Sequence, residues 1–250
     1  MSIKKKIFAA AATMTMIGGV SAVGLMSANA STPSCGGNCV TWYGEEYGPT
    51  FVLDVLRQGE RVGQPIIQFR ASNSDPAEDF VYDEEGSVSD FYAAGLVSEA
   101  LVLHYGGGCE YYDTATAKCT TFYPDDNAFE LEYAPYGVDS GLCAGTGSTA
   151  GNGTPVALER CGVSSKTVWV VDTSPAGGIS GGISGGPVLP TVFPLINGSD
   201  TNFSHPYVLH YPGNGYPTDM PRPQLTTYML QTYSDGTYYN NELWGQSSDK

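Results

Sequence analysis

Chemistry in this chain could come from its thiols, its carboxylates, its three histidines and a glycine-flanked serine. The six cysteines are Cys35, Cys39, Cys109, Cys119, Cys143 and Cys161, and they can serve as metal thiolates or as disulfides. Gly36, Gly37 and Asn38 separate the first two, and no second pair stands at metal-ligand spacing, which disfavours zinc. Six thiols allow about 15 connectivities. The simplest joins sequence neighbours: Cys35–Cys39 around a Gly-Gly-Asn loop, Cys109–Cys119 at a Thr/Ala-rich hairpin tip, and Cys143–Cys161 across two strands. The 26 acidic residues include Glu45-Glu46, Asp83-Glu84-Glu85, Asp125-Asp126 and the pair Glu130/Glu132. A glycosidase needs two carboxylates across a cleft, but so many acids make such pairs inevitable. No run has the spacing of a calcium loop, so a solvated acidic surface is expected. His104, His205 and His210 lie beside Tyr or Pro with no metal-ligand spacing. Neither metal nor other cofactor is expected.

Ser184 raises a hydrolase reading. Gly182-Ile183-Ser184-Gly185-Gly186-Pro187 resembles the G-D-S-G-G-P motif of chymotrypsin-like serine peptidases. The motif's Asp is Ile183 here, no cysteine follows Cys161, and His104 does not stand in an A-A-H-C setting. Gly178-Ile179-Ser180-Gly181 repeats the pattern one step earlier, so the match is low in complexity. A nucleophilic serine needs a rigid oxyanion loop, which a Gly/Ser repeat does not supply. The same loop matches G-x-S-x-G without the strand-to-helix setting of a nucleophile elbow.

The elements that would position these residues are strands. Among 250 residues, 32 Gly and 16 Pro with only 15% charged residues exclude long helices. Short, often alternating apolar runs recur at Phe51–Val55, Ile66–Phe69, Leu101–Tyr105, Phe129–Tyr133, Val156–Leu158, Val168–Val171 and Tyr207–Tyr211. All seven read as strands of an all-β chain. Ser174–Pro187 is Gly/Ser-rich, which predicts a flexible loop over about 174–190. Residues 1–30 read as a secretory signal: Lys4, Lys5 and Lys6, an uncharged apolar run to Met26, then Ala28-Asn29-Ala30. Cleavage would release residues 31–250 as a single secreted domain in a disulfide-permitting compartment. Removing those three lysines from the 11 basic residues leaves 8 against 26 acids, a net charge of −18. Such a polyanion is repelled by nucleic acid and anionic membranes.

A weak internal repeat runs through the chain. One unit starts at Val52-Leu53-Asp54-Val55, continues through Gly63–Phe69 and closes on Phe80. A second starts at Gly141-Leu142-Cys143-Ala144-Gly145, continues through Gly153–Cys161 and closes on Trp169. A third starts at Tyr207–Tyr211, continues through Pro221–Leu225 and closes on Trp244. From leading leucine (Leu53, Leu142, Leu209) to closing aromatic the steps are 27, 27 and 35 residues. This suggests pseudo-threefold symmetry.

The middle unit resembles one repeat of a ricin-B-type β-trefoil lectin. That repeat has a C-L-D-V-like strand, a G-x-x-V-x-L-W-x-C strand joined to it by a disulfide, and a closing Q-x-W. The chain as a whole also resembles secreted actinobacterial proteins with this organisation. The resemblance implies an all-β trefoil that binds an extracellular glycan or cell-wall polysaccharide without catalysis. Its pockets combine a carboxylate, a stacking aromatic and a polar residue near the closing Trp. A carboxylate accepts adjacent sugar hydroxyls while the ring's C–H face covers an aromatic. Carried over, the first unit supplies Asp54, Phe69 and either Asp79 or Glu78, the best site on this reading. The middle unit has Gly145 and Glu159 at the carboxylate and aromatic positions and is expected to be structural. The third supplies a weaker set, His210, Tyr228 and Asn241. The Q-x-W glutamines are replaced by Glu78, Thr167 and Glu242. A trefoil without sugar affinity, acting as an interaction or surface protein, is the alternative, and a secreted hydrolase the third reading.

Overall fold

A computed structural model of the chain describes residues 35, 39–72, 74–105, 109–115, 118–122, 127–172, 192–213, 223–234 and 238–247. For 109–113, 118–122 and 247 only the backbone is described. The expected signal (1–30), the Gly/Ser loop with Ser184, and the side chains of Cys109 and Cys119 lie outside the described residues.

The strands fall into three four-strand units. The first is β1 (Thr41–Gly44), β2 (Phe51–Val55), β3 (Ile66–Arg70) and β4 (Phe80–Ser87). An insertion follows: α1 (Val88–Ala93), α2 (Glu99–Tyr105) and the hairpin β5 (Cys109–Asp113) to β6 (Lys118–Phe122). The second unit is β7 (Asn127–Tyr133), β8 (Leu142–Thr146), β9 (Thr154–Arg160) and β10 (Val168–Val171). The third has β11 (Val192–Phe193) and β12 (Leu195–Asn197) as one strand broken at Pro194, then β13 (Tyr207–His210), β14 (Thr226–Met229) and β15 (Trp244–Ser247). Pro194 interrupts the strand because it brings no N–H to the ladder.

Three pairing rules repeat in register. The first strand of each unit meets its second at Tyr43↔Val52, Glu132↔Cys143 and Ile196↔Val208. Three residues earlier, the first strand faces the closing aromatic at Val40↔Phe80, Phe129↔Trp169 and Phe193↔Trp244. The fourth strand pairs with the first strand of the next unit: β4 with β7, β10 with β12, and β15 with β1. These pairings close a barrel from the first and fourth strands. The second and third strands form the hairpins β2–β3, β8–β9 and β13–β14. The hairpins also meet one another, through Pro65↔Ala157, Ile67↔Gln224 and Thr226↔Pro155. A barrel capped by three mutually touching hairpins, each related to the next by one register, is a β-trefoil.

The core has the same symmetry. Leu53, Ala144 and Leu209 are equivalent, as are Ile66, Val156 and Leu225, and as are Phe80, Trp169 and Trp244; all nine are buried in one cluster. The two indoles reach the same place, Trp169 Nε1 donating to Ala144 O and Trp244 Nε1 to Leu209 O, each at 2.9 Å. The structural counterpart of Leu53 is therefore Ala144 and not Leu142, which corrects the spacing to 27, 25 and 35 residues. Cys143–Cys161 staples β8 to the end of β9, with Cα atoms 5.0 Å apart, and Cys35–Cys39 closes the N-terminal loop.

One expected strand is a helix. Leu101–Tyr105 belongs to α2, where Leu101, Val102 and Tyr105 are buried while Leu103 is 46% exposed. Ser98 begins it, its Oγ accepting from the Leu101 N–H at 3.2 Å. Two apolar neighbours plus the residue four after the first make a helical face, whereas a strand would bury Leu101 and Leu103 together. With α1, capped by Ser87 and Asp90, α2 packs on Ala128, Val168, Val170, Ile196 and Val208, the outside of the barrel. No helix among the described residues is long and apolar enough to cross a membrane.

Candidate functional site

Register assigns every expected site residue its counterpart in the other repeats. Asp54, Gly145 and His210 are equivalent on the second strands, and Phe69, Glu159 and Tyr228 on the third. Each closing aromatic follows a one-turn 3-10 helix, Pro76–Glu78, Ser165–Thr167 or Asn240–Glu242. Ala77, Lys166 and Asn241 are thus equivalent, as are Glu78, Thr167 and Glu242.

The third repeat brings its three residues together. The His210 and Tyr228 rings lie 5.0 Å apart, tilted by 31°. Asn241 Nδ2 lies 3.3 Å from the Tyr211 carbonyl and 3.1 Å from His210 Nε2. The carbonyl can only accept, so the amide nitrogen faces both groups and His210 Nε2 is the acceptor. The imidazole proton therefore sits on Nδ1 and points at Thr226 Oγ1, 3.2 Å away. Burial pushes the His210 pKa down to about 4, which favours this neutral tautomer. All three side chains remain partly exposed. The result is a fixed polar edge beside an aromatic ring, able to exchange hydrogen bonds with hydroxyls and to stack on an apolar ring face. Thr226, absent from the sequence expectation, fixes the tautomer; its signal was its place opposite His210 in the hairpin.

The first repeat is arranged differently. Phe69 is partly exposed, but Asp54, Glu78 and Asp79 are buried. Both Glu78 oxygens accept from the Ser72 N–H, at 2.9 and 3.0 Å, and Asp79 Oδ2 accepts from Tyr136 N at 3.0 Å. The latter bond holds Tyr136 in a left-handed conformation at φ 58°. Carboxylate oxygens of Asp54, Asp75 and Glu78 lie within 4.8 Å of one another, a donor set of the kind a hard cation takes. Glu242 repeats the role of Glu78 in the third unit: fully buried, it accepts from Gln231 N at 2.8 Å through Oε2. Each glutamate thus closes the loop before its closing strand on itself.

In the middle repeat Gly145 stands where Asp54 and His210 stand. A Cβ there would come 2.8 Å from both Lys166 O and Thr167 Cγ2, so the turn before Trp169 leaves no room for a side chain. Thr167, at the Glu78 position, donates to buried Glu130, whose two oxygens also accept from Gly162 N at 3.0 and 3.1 Å.

No protein-family model matches the chain, and no curated protein matches it. Among solved structures it is similar to ThreeFoil, a designed three-fold symmetric protein, with 13% identity, a TM-score of 0.46, and 84% of this chain and 97% of that one covered. It is similar to the Rhizoctonia solani agglutinin at 12% identity and a TM-score of 0.43, covering 84% of this chain and 93% of that one. An exo-β-1,3-galactanase from Clostridium thermocellum matches at 11% identity and a TM-score of 0.44, over 84% of this chain but 30% of that enzyme. The trefoil assignment rests on the strand register above.

Proposed function

We propose that the protein is a secreted, non-catalytic carbohydrate-binding trefoil, and that its third repeat is the principal binding surface. The observation that carries this reading is the joined set of His210, Tyr228 and Asn241, held by Thr226 and the Tyr211 carbonyl. A sugar ring covering Tyr228 would present hydroxyls to the Asn241 amide and the imidazole edge, the two needs of such recognition. In the first repeat Phe69 is the accessible member, while Asp54, Glu78 and Asp79 are buried. The expected partner is an extracellular glycan or cell-wall polysaccharide, reached after export of residues 31–250.

A binding screen of the purified protein against chitin, xylan, galactosides and peptidoglycan tests the proposal, with Asn241→Ala and Asp54→Ala beside the wild type. Retained glycans that are lost in Asn241→Ala and kept in Asp54→Ala support the third-repeat reading. The internal bonds of Glu78 and Asp79 favour a second reading, a trefoil that acts through protein contacts without sugar affinity. Absence of binding to every glycan at millimolar concentration selects it.

A further inference from the structure

Val62 of the first unit and Gly147, Glu159, Arg160, Val163 and Lys166 of the middle unit line a cleft of about 220 Å3. Its charged lining makes it unlike the surface around it. Arg160 and Lys166 line the same cleft and meet no carboxylate at ion-pair distance among the described residues; the Lys166 ammonium donates to Gly147 O at 3.3 Å. These are two of the 11 basic residues in a chain of net charge −15. Opposite them Glu159 overhangs Gly147, where an added Cβ would lie 3.3 Å from Glu159 Oε1. Val62 and Val163, 51% and 67% exposed, form an apolar rim.

We infer that this cleft binds a hexuronic acid, a single sugar ring that carries a carboxylate. The cations take the carboxylate by charge-assisted hydrogen bonds, Glu159 accepts from hydroxyls, and the valines cover the C–H face. The volume is below the roughly 300–1,000 Å3 of drug-sized pockets and suits one ring. No aromatic stands among its described lining residues, so its selectivity comes from charge, in contrast to the neutral cluster of the third repeat.

Calorimetric titration of the full chain with galacturonate and with galactose tests this. The cleft predicts binding of galacturonate that weakens by roughly tenfold or more in Lys166→Gln and in Arg160→Gln, and that falls with added salt. Thermal melting of each variant confirms the fold. Any glycan bound at the third repeat should bind Lys166→Gln and Arg160→Gln unchanged, so a failure there is separate from a failure here. Equal affinities for galacturonate and galactose, no galacturonate binding, or galacturonate binding indifferent to both cation substitutions would overturn the inference.

Discussion

His210 and Glu242 sit one hairpin apart in the third repeat and are perturbed in opposite senses. Burial lowers the His210 pKa to about 4, so its imidazole stays a neutral acceptor for the Asn241 amide at ordinary pH. Protonation would place an N–H against that amide and break the polar edge. Glycan affinity at the third repeat should therefore stay level between pH 8 and 5 and decline as pH falls through about 4, which calorimetry at stepped pH would show. Burial raises Glu242 to about 7, opposed by the Gln231 N–H. A carboxyl whose folded pKa lies above its unfolded value stabilises fully below about pH 4.5, and the contribution is lost as pH rises to the folded value. Glu242→Gln keeps an acceptor for Gln231 N and removes that titration. The variant should match the wild type in melting temperature at pH 5 and exceed it at pH 8.

At the level of elements, most strands were legible because their apolar runs alternate over four or five residues. The closing tryptophans were legible too, being followed or preceded by the turns that deliver them. Leu101–Tyr105 was not, because a five-residue apolar run fits both periods and its decisive neighbour, the Ser98 cap, lies outside the run. The helix makes a sharp distinction. Leu101→Ala should cost about 2–5 kcal/mol, as expected for emptying a buried site, whereas Leu103→Asn at a half-exposed position should stay within about 0.5 kcal/mol. Urea unfolding of both variants checks this, and equal losses would restore the strand. The equivalence of Asp54, Gly145 and His210 was legible, since they fall in one register as the repeat suggested. The burial of Asp54, Glu78 and Asp79 was not legible. Whether a carboxylate faces solvent or ties down a loop, as Glu78 does to Ser72, depends on loop paths with no local sequence signature.

For the whole molecule, acid and neutral solution should differ. Burial raises Glu132 and Glu242 to about 7 and pushes Glu45, Glu130 and Asp200 upward as well. Each of these contributes stability below its unfolded pKa that disappears as pH rises through its folded value. His210 acts the other way, costing stability between its unfolded value near 6.5 and about 4. Five groups against one, in a chain of net charge −15, favour the fold in mild acid. The melting temperature should be higher at pH 5 than at pH 8, and added salt at pH 8 should recover part of the difference by screening like charges. A melting temperature that rises steadily from pH 5 to pH 8 would contradict this distribution of buried acids.

The trefoil's function is tested most directly by measuring glycan affinity in Tyr228→Ala and Phe69→Ala, with the glycan that binds the wild type best. Both aromatics stand at the same place in their hairpins, so each substitution removes the same kind of contact. A third-repeat site predicts a loss of roughly tenfold or more for Tyr228→Ala, the size expected for a stacking ring, with Phe69→Ala close to wild type. Unchanged affinity in Tyr228→Ala would contradict it.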